Sequence, residues 1–99
     1  KGKEKELTDG FNEIFFAFSK NISKGLKATS IENVVLAEKL HKHLCKYCFD
    51  CQIGVFSSIG YGYVKNIEFK TNLNKFGEGT AQYVCDAIQQ YVTEKEDRE

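Results

Sequence analysis

The chain has 99 residues, 41% hydrophobic and 13% aromatic, with eight Phe, five Tyr and no Trp. That length holds one core rather than two, and the apolar content is too high for a disordered segment; the rings go either into an aromatic core or around a cavity. Fourteen basic and fourteen acidic residues cancel, which excludes unaided grip on nucleic acid, because neutralising phosphates needs a positive excess.

Leu7, Phe11, Ile14, Phe15, Phe18 and Ile22 recur mostly at spacings of three and four. They form one apolar stripe on a helix of roughly 3.6 residues per turn. The spacing predicts a first helix over residues 6–24, with Gly25 as the left-handed residue that ends it. Thr29-Ser30-Ile31-Glu32 reads as a capping box opening a second helix. From there Val34, Ala37, Leu40, Leu44, Cys48, Cys51, Val55 and Ile59 keep the same rhythm, which predicts one long helix over residues 30–56 or a little beyond. A β-hairpin over residues 47–69, turning at Ser57-Ser58-Ile59-Gly60-Tyr61-Gly62, competes with it, since β-branched and aromatic residues are dense there. The unbroken stripe from Val34 to Cys51 favours the helix.

After a break at residues 60–62, Asn66 is a fair N-cap for a short helix over residues 67–73. Residues 74–79, Asn-Lys-Phe-Gly-Glu-Gly, form a loop whose two glycines allow positive φ. Thr80, Tyr83, Val84, Ala87, Ile88, Tyr91 and Val92 then make an amphipathic helix ending near residue 92 or 93. Residues 94–99 read as a charged, frayed tail. The expected fold class is all-α, with about four helices, a long central one among them and a C-terminal amphipathic one.

No apolar stretch is long enough to span a bilayer, and the charged start, Lys1-Gly2-Lys3-Glu4-Lys5-Glu6, lacks the apolar run of a secretory signal. No membrane partner is expected. Cys45, Cys48 and Cys51 crowd into seven residues, poor spacing for a disulfide framework. With Cys85 they read as reduced thiols, and the expected location is the cytoplasm.

Three constellations invite chemistry. The run from His41 to Cys51 holds two His and three Cys, which suggests zinc, yet no second ligand pair follows. On a helix His41 and His43 point apart by about 200°, whereas Cys48 and Cys51 fall on the apolar stripe and read as small core hydrophobes. Gly60-Tyr61-Gly62-Tyr63 lacks the Lys-Ser/Thr of a phosphate loop, though its rings suit the wall of a planar-ligand site. Asn74 to Thr80 reads as an inter-helix turn. Carboxylates are scattered over helix faces, with no paired-acid or Ser-His-Asp arrangement. No catalytic residue, metal ligand or cofactor is expected, and the chain reads as a binding domain rather than an enzyme.

Several spaced strings carry a resemblance. Phe49-Asp50-Cys51, Gly60-Tyr61-Gly62-Tyr63-Val64, Phe69-Lys70-Thr71-Asn72-Leu73-Asn74, Gly79-Thr80-Ala81-Gln82-Tyr83 and Asp86-Ala87-Ile88 follow one another without gaps over about forty residues. In order and spacing this run resembles the C-terminal drug-binding domain of TipA-type MerR transcription activators. The resemblance implies a small globin-like helical domain that recognises thiopeptide antibiotics or other bulky apolar compounds. It also implies a full-length homodimer in which DNA is bound only by a separate N-terminal domain absent here. Residues 1–99 would be the single effector-binding domain of that longer regulator, in keeping with a chain that starts on Lys.

The departures bear on the ligand. Ser58 stands where the thiopeptide-binding member has a second, ligand-capturing cysteine, Gly62 where Met is usual, Asn66 for Asp, and Glu78 where Pro is common. A hydroxyl lacks the thiolate that adds to a dehydroalanine, so noncovalent binding of a different ligand is expected. The site is placed where the second half of the long helix meets the glycine break, with Tyr47, Cys51, Val55, Phe56, Ser58, Tyr61 and Tyr63 as ligand-binding residues.

Overall fold

A computed structural model describes residues 3–98. Five helices follow in order: α1 (Lys3–Ser23), α2 (Ile31–Tyr47), α3 (Ile53–Lys65), α4 (Ile67–Asn74) and α5 (Thr80–Arg98). No strand occurs among the described residues, so the class is all-α and the hairpin reading falls.

α1 buries Ile14, Phe15 and Phe18 on its predicted stripe. Gly25 ends it at φ 78°. Its amide donates to the Ile22 carbonyl, and the Leu26 amide donates to the Asn21 carbonyl, the paired closure that only a left-handed residue allows without strain. α2 begins one residue later than the capping box requires. Ser30 is the N-cap and makes no side-chain cap bond; its hydroxyl lies 3.2 Å from the side-chain Nδ2 of Asn33 instead.

Asn33 is fully buried and explains that substitution of roles. Its amide nitrogen also donates to the Lys27 carbonyl and the Tyr83 hydroxyl, while its oxygen accepts from Asn21. The Tyr83 hydroxyl donates in turn to the Leu26 carbonyl at 2.7 Å. The connection between α1 and α2 is thereby tied to α5, with every buried polar group satisfied, as interior polar clusters require.

The single long helix is not formed. α2 stops at Tyr47 and α3 starts at Ile53, so residues 48–52 are an elbow and the helices number five. The apolar rhythm runs through the elbow without a break in register, and periodicity therefore could not reveal it. What makes the elbow is tertiary. His41 places Nε2 2.7 Å from the Cys51 carbonyl and Nδ1 2.8 Å from the Tyr91 hydroxyl, and its ring stacks on Phe56 at 4.7 Å. Since a carbonyl only accepts, Nε2 carries the hydrogen, and Nδ1 accepts from Tyr91.

The expected break at residues 60–62 is also absent: both glycines lie inside α3. Gly60 is buried against α5, where a Cβ would come within 3.0 Å of the Ile88 Cγ2 and 2.9 Å of the Gln89 Nε2. It is a close-packing residue rather than a hinge. Asn66 caps α4 as read, its side-chain oxygen accepting from the Glu68 and Phe69 amides. α5 packs against each of the other four helices and continues to Arg98, past its expected end at residue 92 or 93. The tail expected over residues 94–99 is therefore helical as far as the description extends, Glu99 lying outside it.

Gly60 and Gly62 of α3 should respond oppositely to alanine. A Cβ at Gly62 meets nothing within 4 Å, so Gly62→Ala gains helix propensity and is expected to stabilise by up to about 1 kcal/mol. Gly60→Ala overpacks the α3–α5 contact and is expected to destabilise by about 1 kcal/mol despite the same propensity gain. Urea unfolding of the two variants checks both signs.

Candidate functional site

The main cavity is an open cleft of about 620 Å³. Phe11 and Phe15 enter it from α1, Leu44 from α2, Ile59 and Tyr63 from α3, Phe69 and Leu73 from α4, and Phe76 from the loop before α5. Each position follows from helical spacing. Phe11 and Phe15, Ile59 and Tyr63, and Phe69 and Leu73 are pairs four apart and so share one face of their helix.

The rings form a continuous wall. Phe11 stacks on Phe15 at 6.1 Å, Phe15 meets Tyr63 edge-on at 5.9 Å and Phe76 at 6.0 Å, and Tyr63 meets Phe69 at 5.9 Å. These separations and angles lie in the favourable range for aromatic pairs. Asn12, Asn72 and Lys75 add the polar part of the lining. Burial pushes the Tyr63 phenol up to about 12, with smaller contributions from nearby Cys48 and Cys51, so the group presents an O–H and not a phenolate.

Of the residues read as ligand contacts from the sequence, Tyr63 lies in this cleft. Phe56 is fully buried between His41 and Tyr91 and is not among the residues that line the cleft. Cys51 is buried in the core at the elbow. Val55 and Tyr61 are exposed, with Lys65 over the Tyr61 ring at 6.0 Å. Ser58 is exposed and donates to the Gly54 carbonyl one turn back. Tyr47 packs its ring on His43 at 4.8 Å and lines a shallow depression between α1 and α2. The seven residues are not brought together, because the elbow and the helical glycines turn their segment so that only the Ile59–Tyr63 face meets the cleft.

Sequence reasoning missed Phe11, Phe15, Leu44, Ile59, Phe69, Leu73 and Phe76. One signal was available, since Phe69, Asn72 and Leu73 all belong to the string Phe69-Lys70-Thr71-Asn72-Leu73-Asn74. In that string Asn74 has a different task, accepting from the Ala81 amide at 3.0 Å to hold the start of α5.

The cysteines divide. Cys51 and Cys85 are buried, whereas Cys45 and Cys48 are exposed, which corrects the expectation that Cys48 faces the core. It lies just past the end of α2, where the stripe no longer applies. No group of metal-ligating side chains converges among the described residues. His41 is already committed to Cys51 and Tyr91, and His43 to the Leu7 carbonyl at 2.8 Å.

Burial raises both the Cys51 and Cys85 thiols, so they are poor nucleophiles as well as shielded ones. Ellman's reagent is expected to titrate two thiols rapidly and two only on unfolding. Cys51→Ala is expected to cost about 1 kcal/mol and Cys48→Ala close to none.

Alkaline stability gives a second check. Burial, first among the causes, pushes Tyr63 and Tyr91 from about 10 up to about 12. The folded chain therefore keeps protons that the unfolded chain releases. Their contribution is whole below pH 10 and is lost as pH rises toward 12. The urea midpoint is expected to fall across that window, and to fall less steeply in Tyr63→Phe.

Comparison with known proteins now bears on this architecture. The family model described as the TipAS antibiotic-recognition domain matches residues 1–91. The HTH-type transcriptional activator mta of Bacillus subtilis (strain 168) is 28% identical over 86 residues, covering 87% of this chain. The chain spans about a third (33%) of that relative's length. No solved structure matches. No described helix is long and apolar enough to cross a membrane. With a helical fold that opens a ring-walled cleft, and a match over residues 1–91, the chain belongs to the TipAS antibiotic-recognition domain family.

Proposed function

We propose that this chain is the effector-binding domain of a transcriptional activator, and that the ring-walled cleft takes a bulky apolar small molecule noncovalently. The observation that carries the reading is the cleft itself, about 620 Å³ with a nearly continuous apolar lining, in a chain of this family. Small-molecule sites commonly have volumes of roughly 300–1,000 Å³ and a few polar groups on mainly apolar walls.

Noncovalent binding follows from what lines the walls. No cysteine, and not Ser58, is among the lining residues. The polar groups present are two amides, a phenol and an ammonium, which hold and orient but form no nucleophile–base pair. The balanced charge leaves contact with DNA to other parts of a full-length protein, where dimerisation would also reside. A ligand seated here bridges α1 to α3 and α4, and would favour whichever arrangement of these helices it contacts best; that differential is what a sensor needs.

A thermal-shift screen with thiopeptides and other bulky apolar antibiotics tests the reading. At a concentration a hundred times its Kd, a true ligand stabilises by about 2.7 kcal/mol. Phe69 is half exposed in the cleft wall, so Phe69→Ala is expected to fold normally and to weaken binding. Ser58→Ala and Tyr61→Ala are expected to bind as the parent chain does. The opposite pattern would place the ligand on the outer face of α3 and remove the cleft from the argument.

A further inference from the structure

The polar complement of the cleft has a sign. Every wall element contributes apolar side chains, and the polar residues among them are Asn12, Asn72, Tyr63 and Lys75, with no Asp or Glu. This is uneven for a chain that carries fourteen acidic residues against fourteen basic ones. Lys75 lies at the C-cap of α4, and no carboxylate pairs with it among the described residues, where the ion pairs found are Lys5–Asp9 and Lys42–Glu38. It is a cation beside an apolar surface with no counter-charge.

Tyr63 points the same way. It is more than nine-tenths buried, yet its hydroxyl takes part in none of the side-chain hydrogen bonds between described residues. No sealed side-chain oxygen or nitrogen among those residues lacks a partner. The hydroxyl is therefore not sealed from solvent, and Tyr63 is one of the residues that line the cleft. A phenol held in its protonated form by burial offers a hydrogen to an acceptor inside the cleft and has no charge with which to welcome a cation. Donors without a protein partner beside apolar walls favour a ligand that carries acceptors.

Resting on the cleft reading above, we propose that the preferred ligand is an anionic amphiphile, with a ring-bearing or branched apolar body against the aromatic wall and a carboxylate or sulfonate end at Lys75. A ligand with a cationic end meets the Lys75 ammonium with no carboxylate in the lining to offset it, and is disfavoured. The body supplies most of the affinity by burial, whereas the charged end supplies selectivity.

Two fluorescent probes that share a ring system separate these contributions. N-phenyl-1-naphthylamine is uncharged, and 1-anilinonaphthalene-8-sulfonate adds one anionic group. The sulfonate is expected to bind about fivefold more tightly, the scale of one partly exposed charge contact. Lys75→Gln is expected to erase that advantage and leave the uncharged probe as before. Lys75→Glu is expected to drive the sulfonate below the uncharged probe. Lys65→Gln removes a lysine of α3 that lies outside the cleft and is expected to change neither affinity. Equal binding of the two probes, insensitive to Lys75, would overturn the anionic preference while leaving an apolar cleft in place. Failure of both probes, or binding that Phe69→Ala leaves untouched, would overturn the cleft reading and this inference with it.

Discussion

The arrangement of the whole C-terminal half depends on the imidazole of His41. One ring nitrogen holds the Cys51 carbonyl, the other receives the Tyr91 hydroxyl, and the ring face carries Phe56. Three parts of the chain, the elbow, α3 and α5, are thereby referred to one side chain on α2. The carbonyl that would have continued a helical ladder is committed to the ring instead, so α3 leaves at a new angle. Without that change of direction the Ile59–Tyr63 face would not meet Phe15 and Leu44, and the aromatic wall would not close. The ring is half buried and bonded on both nitrogens, so its tautomer is fixed by its partners and not by its own preference.

The cleft follows from this geometry and from a shortage of aliphatic bulk. Five rings, those of Phe11, Phe15, Tyr63, Phe69 and Phe76, meet stacked, edge to face or tilted. Flat plates at such angles leave angular gaps that branched aliphatics would have filled. Where α3 meets α5 the packing is of the opposite kind. Gly60 brings α3 close against Ile88 and Gln89 of α5, and Phe56, Val84, Ala87 and Ile88 are sealed from solvent. One helix thus packs tightly on α5 at Gly60, which fixes its position, and lines the cleft with Ile59 and Tyr63 from the same stripe.

How much of this was legible can be judged residue by residue. The stripes of α1 and α5, the Gly25 closure and the Asn66 cap were all readable, because each is set by local chemistry within one or two turns. The elbow was not, since Val34 through Ile59 keep a helical rhythm across it and the deciding bonds come from His41 and Tyr91, distant in sequence. Reading Gly60 and Gly62 as a hinge failed for a related reason: a glycine in a sequence shows freedom, while its use for close approach depends on a partner such as Ile88. The expected site was built around that hinge, and of its seven residues Tyr63 lines the cleft. The strings that carried the family resemblance were informative in a different sense from the one first assigned. Gly60 and Ile88 pack closely, Asn74 anchors α5, and Phe69, Asn72 and Leu73 line the cleft, so most of the motif records packing and only its middle part belongs to the cleft.

The central place of α5 has a consequence for how the chain is made. Each of the other helices packs on α5, and both polar tethers, through Tyr83 and through Tyr91, end on it. Synthesis proceeds from the N-terminus, so the four earlier helices emerge before the surface they share. Until residues 80–92 clear the ribosome, Phe18, whose ring meets Tyr83, and the Gly60 surface of α3, which packs on Ile88, lack their partners, and short helices alone are marginal in water. Completion of the core therefore waits on the last helix, and the side chains that pack on it stay uncovered until then.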